Sequence, residues 1–252
     1  MEGPLFDYLP REAILAAYER AAGSFLAGSD LTGPDSSAAL VANTFGLFLI
    51  GPERLPPIPG TEACGWPAER VGLEECARFP WWPAGDQSWL DVLMETETHV
   101  VGIESTRYEP FREKPLSTFP NLFWRDEWGK GMKPFESMRD RLVEEAVSFE
   151  RLDAAQLVKH AFALRTEGER WEKAAVLVYL YAEPVAWPDG TPIAAADRDA
   201  HASEAQRFAR EVEGAEVEFR ACTYAALLDG LAASGEDELR AHAERVRATF
   251  HP

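Results

Sequence analysis

The sequence has few cysteines and no pattern that would link them. Cys64, Cys76 and Cys222 are odd in number and widely spaced, so they match neither a zinc-ligand spacing nor a disulfide framework. Cysteines of this kind are typical of proteins in reducing compartments. The N-terminal stretch is acidic and lacks the basic and apolar regions of a secretory signal. These features together predict a cytoplasmic protein.

Long apolar runs and several well-known enzyme motifs are also absent. The longest apolar candidate, Ala38–Ile50, contains Asn43 and is shorter than the roughly 18 apolar residues of a membrane helix. We therefore expect no membrane partner. Neither a Gly-rich phosphate loop nor a nucleophile elbow occurs in the sequence, which argues against the enzyme classes that depend on those motifs.

Basic residues are scarce for a protein that would bind nucleic acid over its whole surface. The chain has 25 Lys and Arg residues against 43 Asp and Glu, a net charge of −18, whereas phosphate contacts supply most non-specific affinity for nucleic acid. The balance differs between Arg107 and Arg141, where eight basic residues accompany six acidic ones. A basic face is therefore expected only in that segment.

Apolar periodicity predicts a mixed central sheet flanked by helices, of the α/β (α+β) class, within one domain over residues 1–252. Two alternating segments, 89–95 and 99–105, are joined by a short polar turn and predict an antiparallel hairpin. Further strands are expected at 174–182 and 217–222. The predicted helices cover 11–26, 38–49, 134–149, a segment beginning at Asp153, 195–212, 224–233 and 236–249, with Asp35 or Ser36 as the cap of the second.

Two segments rich in proline and glycine predict long irregular connections, at about 51–87 and 109–133. The first is expected to contain a short helix near Glu69–Cys76. Loops of this length are usually functional or cover another part of the molecule.

Two acidic residues lie within the apolar strands of the predicted hairpin. Asp91 stands between Leu90 and Val92, and Glu104 lies near the end of the second strand. Carboxylates in half-buried strands are costly unless a cation matches them or they stay protonated, and hard oxygen ligands select Mg²⁺ or Mn²⁺. The sequence thus predicts a metal site; the alternative is that Asp91 lies in solvent at a strand edge and Glu104 pairs with Arg107.

The order of these motifs resembles the PD-(D/E)XK nuclease superfamily. GIESTRYEPF is similar to a restriction-endonuclease-like branch with an Ile-Glu-Ser/Ala-Lys strand followed by Glu-Pro. Three further motifs occur in the order expected for that branch: SSAALVANTFG upstream, and AAQLVKHAFAL and VLVYLYAEP downstream. The resemblance covers roughly residues 10–230 and implies a restriction-endonuclease-like fold.

The resemblance also implies roles for individual residues. Asp91 and Glu104 would bind the metal ion and act in catalysis, and Gln156 would support the site. His160 lies one helical turn after Gln156, so both side chains are expected on one helix face. Glu19 in the first helix is a further possible acid. The alternative interpretations are that Gln156 and Glu19 lie on helix surfaces and that His160 is a core residue whose hydrogen bonds are satisfied.

The sequence departs from the family pattern at Thr106, where a lysine is expected. Residues two apart on a strand face the same way, and a lysine there would stabilise charge developing on the phosphate. Arg107 should point to the opposite face, whereas Lys114 lies in the following loop.

Basic and aromatic residues alternate in that loop. The expected nucleic-acid contacts are Arg107, Arg112, Lys114, Arg125 and Lys130. Interleaved aromatic rings suit stacked bases, although they also suit packing beneath a long loop.

The leading hypothesis is therefore an endonuclease-like protein that hydrolyses DNA phosphodiester bonds with Mg²⁺ or Mn²⁺. One alternative is a catalytically inactive nuclease fold that serves as a binding or regulatory module, favoured by Thr106 and the negative charge. The other is an unrelated α/β enzyme.

Overall fold

Five strands form one mixed sheet in which the strands lie in chain order. The structure is a computed structural model that describes residues 5–22, 31, 33, 35–80, 88–113, 119–125 and 128–252. The first three strands pair antiparallel, and the third, fourth and fifth pair parallel. This confirms the predicted mixed sheet. The strands are β1 Ala68–Ala77, β2 Ser88–Thr96, β3 His99–Thr106, β4 Ala174–Tyr181 and β5 Val217–Thr223.

Seven α-helices flank the sheet within the described part of the chain. Three begin at a capping side chain: Ser36 accepts a hydrogen bond from the Ala39 N–H, Asp153 accepts one from the Gln156 N–H, and Thr223 accepts one from the Ala226 N–H. The helices are α1 Arg11–Ala22, α2 Ser37–Phe45, α3 Lys133–Val143, α4 Ala154–Trp171, α5 Ala195–Glu211, α6 Tyr224–Ala233 and α7 Asp237–Phe250.

Two helices end earlier than predicted, and the predicted end of a third lies outside the described residues. Helix α2 ends at Phe45, and Gly46–Leu49 follows as a 3-10 turn. Helix α3 ends at Val143 rather than near 149, because Glu145 adopts a left-handed backbone with φ of 54°. The predicted first helix ran to 26, but 23–26 lie outside the described residues.

The two faces of the sheet bury separate hydrophobic clusters. Alternate residues of β4 supply them, with Val176 and Val178 on one side and Leu177 and Tyr179 on the other. The first cluster includes buried residues of α1, α2, α6 and α7, and the second includes those of α3, α4 and α5. The result is a layer of helices on each face of the sheet.

Strand β1 corrects the prediction of a short helix near Glu69–Cys76 within an irregular 51–87 segment. The segment pairs along its length with β2, and Val71 and Leu73 are buried in the first cluster. Short apolar segments do not distinguish helix from strand by periodicity alone, so pairing with the distant hairpin decides the conformation here.

The second predicted loop is irregular where the structure describes it. It contains three short 3-10 turns, Glu109–Phe111, Asn121–Trp124 and Lys130–Met132. Residues 114–118 and 126–127 are outside the described residues. Among the helices that are described, none is long and apolar enough to cross a lipid bilayer.

Helix α4 lies close against β3. A Cβ atom built at Gly102 would stand 2.8 Å from Leu90 Cδ1 and 3.1 Å from Leu164 Cδ2. A larger residue at this position would therefore require the tips of the Leu90 and Leu164 side chains to shift. This close approach brings the polar side chains of α4 next to the end of β3.

Candidate active site

Three carboxyl side chains lie at one level across β1, β2 and β3. Asp91 precedes Val92, which pairs with Ile103, and Glu104 follows Ile103. On the other side of Asp91, the register of β1 and β2 places Glu74 at the same level. The two acids predicted from the sequence are thus neighbours, and a third joins them.

Glu104 lies against one of the two α4 side chains that the sequence singled out. His160 Nε2 lies 2.8 Å from Glu104 Oε2, and Gln156 Nε2 lies 2.9 Å from the same ring nitrogen. Ser88 Oγ approaches the other ring nitrogen of His160 at 2.5 Å. A carboxylate only accepts hydrogen bonds, so the proton of His160 belongs on Nε2, facing Glu104. That nitrogen then has no lone pair for the Gln156 amide N–H, so Gln156 lies beside the ring without a hydrogen bond to Nε2. His160, fully buried, therefore positions Glu104.

Asp91 lies on an interior strand, because β2 pairs with β1 on one side and β3 on the other. Its Oδ2 accepts a hydrogen bond of 2.6 Å from the Ser105 N–H. Burial and the neighbouring charges of Glu104 and Glu74 raise the pKa of Asp91 well above its ordinary value. The expected alternative, a solvated Asp91 and a Glu104–Arg107 pair, is not what the structure shows.

Glu74 is the residue that the sequence reading missed. It is buried, and its backbone adopts a left-handed conformation with φ of 48°, which is uncommon for a residue other than glycine. Burial, followed by the charge of Glu104, raises its pKa from 4.5 to about 7. Glu19, the acid considered in α1, is exposed and lines neither of the clefts described next.

The carboxylates open into two clefts that share Asp91, Glu104 and Gln156. The first cleft has a volume of about 470 Å³ and also contains Arg112 and Arg151. Both arginines have carboxylate partners, Asp35 for Arg112 and Asp197 for Arg151. The second cleft, of about 430 Å³, is lined in addition by Glu74, Phe79, Ser88, Trp89, Pro120, Phe123 and Lys159.

Thr106 lines the first cleft beside Glu104, on the side where the family pattern has a lysine. Its hydroxyl donates a 3.1 Å hydrogen bond to Glu109 Oε2. The same carboxylate oxygen accepts the N–H groups of Arg107 and Tyr108 at 2.8 and 3.0 Å. Thr106 thus belongs to a turn that closes the end of β3 and supplies no positive charge.

The basic residues predicted to contact nucleic acid have different surroundings where the structure describes them. Arg112 reaches the first cleft, and Arg125 and Lys130 are exposed elsewhere. Arg107 is 4% exposed and donates to the Phe250 carbonyl at the end of α7, so its role is in packing rather than on a binding surface. Lys114 lies outside the described residues.

Two aromatic rings of that loop pack in the interior. Phe123 and Trp128 are 2% and 0% exposed, and Trp128 stacks on Phe162 of α4 with ring centroids 4.3 Å apart. Trp124 is 43% exposed, and Phe111 and Phe119 are partly buried. Phe123 and Trp128 therefore pack beneath the loop, as the alternative interpretation expected, and are not exposed for stacking on bases.

The donor set agrees with a hard divalent cation, although no group of three His, Cys, Asp or Glu side chains among the described residues forms a metal cluster. Mg²⁺ usually keeps several waters and binds through one or two carboxylates together with substrate phosphates, which Asp91 and Glu104 suffice to provide. Their clustered charges favour a cation. No protein-family model, curated protein or solved structure matches the chain.

Proposed function

We propose that the chain is a metal-dependent phosphodiesterase of the PD-(D/E)XK nuclease type that hydrolyses DNA. The observation that carries the proposal is the pairing of Asp91 and Glu104 at one level of adjacent strands, facing clefts that they share. Both residues also stand in the sequence order that resembles that superfamily. The mixed sheet with helices on both faces agrees with this assignment.

Asp91 and Glu104 would hold Mg²⁺ or Mn²⁺ in this proposal. When bound, such an ion polarises a phosphodiester and lowers the pKa of a coordinated water. The chain itself fixes the orientation of its carboxylates. The Ser105 N–H holds Asp91, and His160, itself held by Ser88, holds Glu104. Outer contacts of this kind orient metal ligands and support their affinity.

Mutation of one carboxylate tests the proposal. Asp91→Asn should lower the rate of Mn²⁺-dependent cleavage of plasmid and oligonucleotide DNA by at least about a hundredfold. This is the order expected when a preorganised electrostatic contact to the reacting group is lost. Calorimetry should show Mn²⁺ binding to the unmodified protein and much weaker binding to the variant. Glu97→Gln, in the exposed turn between β2 and β3, is the matched control and should behave as the unmodified protein.

Absence of cleavage on plasmid, linear and single-stranded DNA would remove the hydrolase assignment. A second candidate then gains support, an inactive nuclease fold that serves as a binding or regulatory module. The observation that favours it is Thr106, whose hydroxyl is committed to Glu109. Unchanged nucleic-acid affinity in EDTA, with no Mn²⁺ binding, would identify that alternative.

A further inference from the structure

The second cleft contains a positive charge that the motif comparison did not assign. Lys159 lines it together with Glu74, Asp91, Glu104 and Gln156. Among the described lining residues of this cleft, Lys159 is the one lysine or arginine. Lys159 therefore supplies the basic side chain of a cleft that is also lined by three carboxyl groups and three aromatic rings.

Helix geometry fixes the place of Lys159 relative to Glu104. Gln156, Lys159 and His160 are spaced by three and four residues and lie on one side of α4. His160 is anchored on Glu104, and Gln156 reaches His160. Lys159 is partly buried, and its Nζ lies 5.6 Å from the centroid of the Phe119 ring. Lys159 thus lines the second cleft, whereas Thr106 lines the first, and the two clefts share Asp91 and Glu104.

A phosphodiester that approaches three carboxylates needs positive charge nearby. The charges of Arg112 and Arg151 in the first cleft are matched by Asp35 and Asp197, and Thr106 contributes none. We propose that Lys159 contacts the phosphate at the reacting centre and stabilises the charge that develops on it. This inference rests on the proposed function, and it assigns the catalytic cation to the helix rather than to β3.

Substitution of Lys159 tests the assignment through two independent measurements. Lys159→Gln should lower the cleavage rate by about 10²–10³-fold, the usual cost of removing one preorganised donor to developing charge, while Lys159→Arg keeps part of the activity. Binding of a fluorescent single-stranded oligonucleotide in EDTA supplies the second measurement. Loss of one phosphate contact should reduce the slope of log affinity against log salt by about 0.7 for a single strand.

Lys133→Gln is the matched control, because Lys133 is exposed and lines neither cleft. Thermal melting verifies that each variant is folded. The assignment is overturned if Lys159→Gln cleaves and binds as Lys133→Gln does. If the unmodified protein binds the oligonucleotide without cleaving it, the hydrolase proposal fails, and the salt slope still decides whether Lys159 contacts phosphate. If it neither binds nor cleaves, both proposals are rejected.

Discussion

Glu74→Gln should stabilise the metal-free protein in a manner that depends on pH. The pKa of Glu74 rises from 4.5 to about 7 on folding because the carboxyl is buried beside Glu104. One pKa unit corresponds to about 1.4 kcal/mol, so ionised Glu74 costs the folded state about 3 kcal/mol. Glutamine keeps the shape of the side chain and has no charge to bury.

The sign of the effect follows from the two pKa values. Below pH 4.5, Glu74 is protonated in the folded and unfolded chains, so the substitution does not change the free energy of unfolding. Between pH 4.5 and about 7 the folded state keeps a proton that the unfolded chain releases, so the wild-type protein loses stability as the pH rises. Above pH 7 the difference reaches its full value.

Thermal melting in EDTA between pH 4 and pH 8 measures this difference. For a chain of this size, each kcal/mol shifts the melting temperature by about 2–4 °C, so Glu74→Gln should melt about 6–12 °C higher at pH 8 and with the wild type at pH 4. EDTA is needed because a bound cation would favour the ionised carboxylate. Glu97→Gln should show no such trend. A variant that is less stable than the wild type at pH 8, or equally shifted at both pH values, would refute the reasoning.

Two further predictions concern side chains assigned to packing. Arg107→Met should lower the free energy of unfolding by about 2–3 kcal/mol, since the Phe250 carbonyl loses a charged hydrogen-bond donor. Nucleic-acid affinity per folded molecule should not change. Chemical denaturation and oligonucleotide binding check the two parts, and an affinity loss without destabilisation would contradict the assignment. Trp128→Ala should lower the free energy of unfolding by about 3–5 kcal/mol, whereas Trp124→Ala, at an exposed ring, should lower it by less than about 1 kcal/mol. Chemical denaturation measures both values, and equal losses would show that Trp128 is not a core residue.

The hairpin and the parallel strands could be predicted because local patterns specify them. Alternation over β2 and β3, and the continuous β-prone run of β4, are visible in the sequence itself. The side chains of Ser36 and Asp153 likewise mark where α2 and α4 begin. These signals do not depend on distant parts of the chain.

Strand β1 and its acid could not be found in the same way. Its conformation depends on pairing with β2, and several glutamates obscure its alternation. The place of Glu74 beside Asp91 follows from the strand register, which local sequence does not reveal. The contact between Ser88 and His160 joins residues 72 positions apart, so it too requires the folded chain. Asp91 and Glu104 could be singled out from the sequence because each is an acid within an apolar strand, and His160 because it lies one helical turn after Gln156.

The absence of a side chain at Gly102 links the stability of the fold to the chemistry of the site. The tips of Leu90 and Leu164 lie within 3.2 Å of a Cβ atom built at Gly102, so β3 and α4 meet through hydrophobic contact one helical turn from His160. Gln156, Lys159 and His160 belong to the same helix, so their distance from Glu104 depends on this contact. A larger residue at Gly102 that displaced α4 would shift all three polar groups together, although each of them would remain in the sequence.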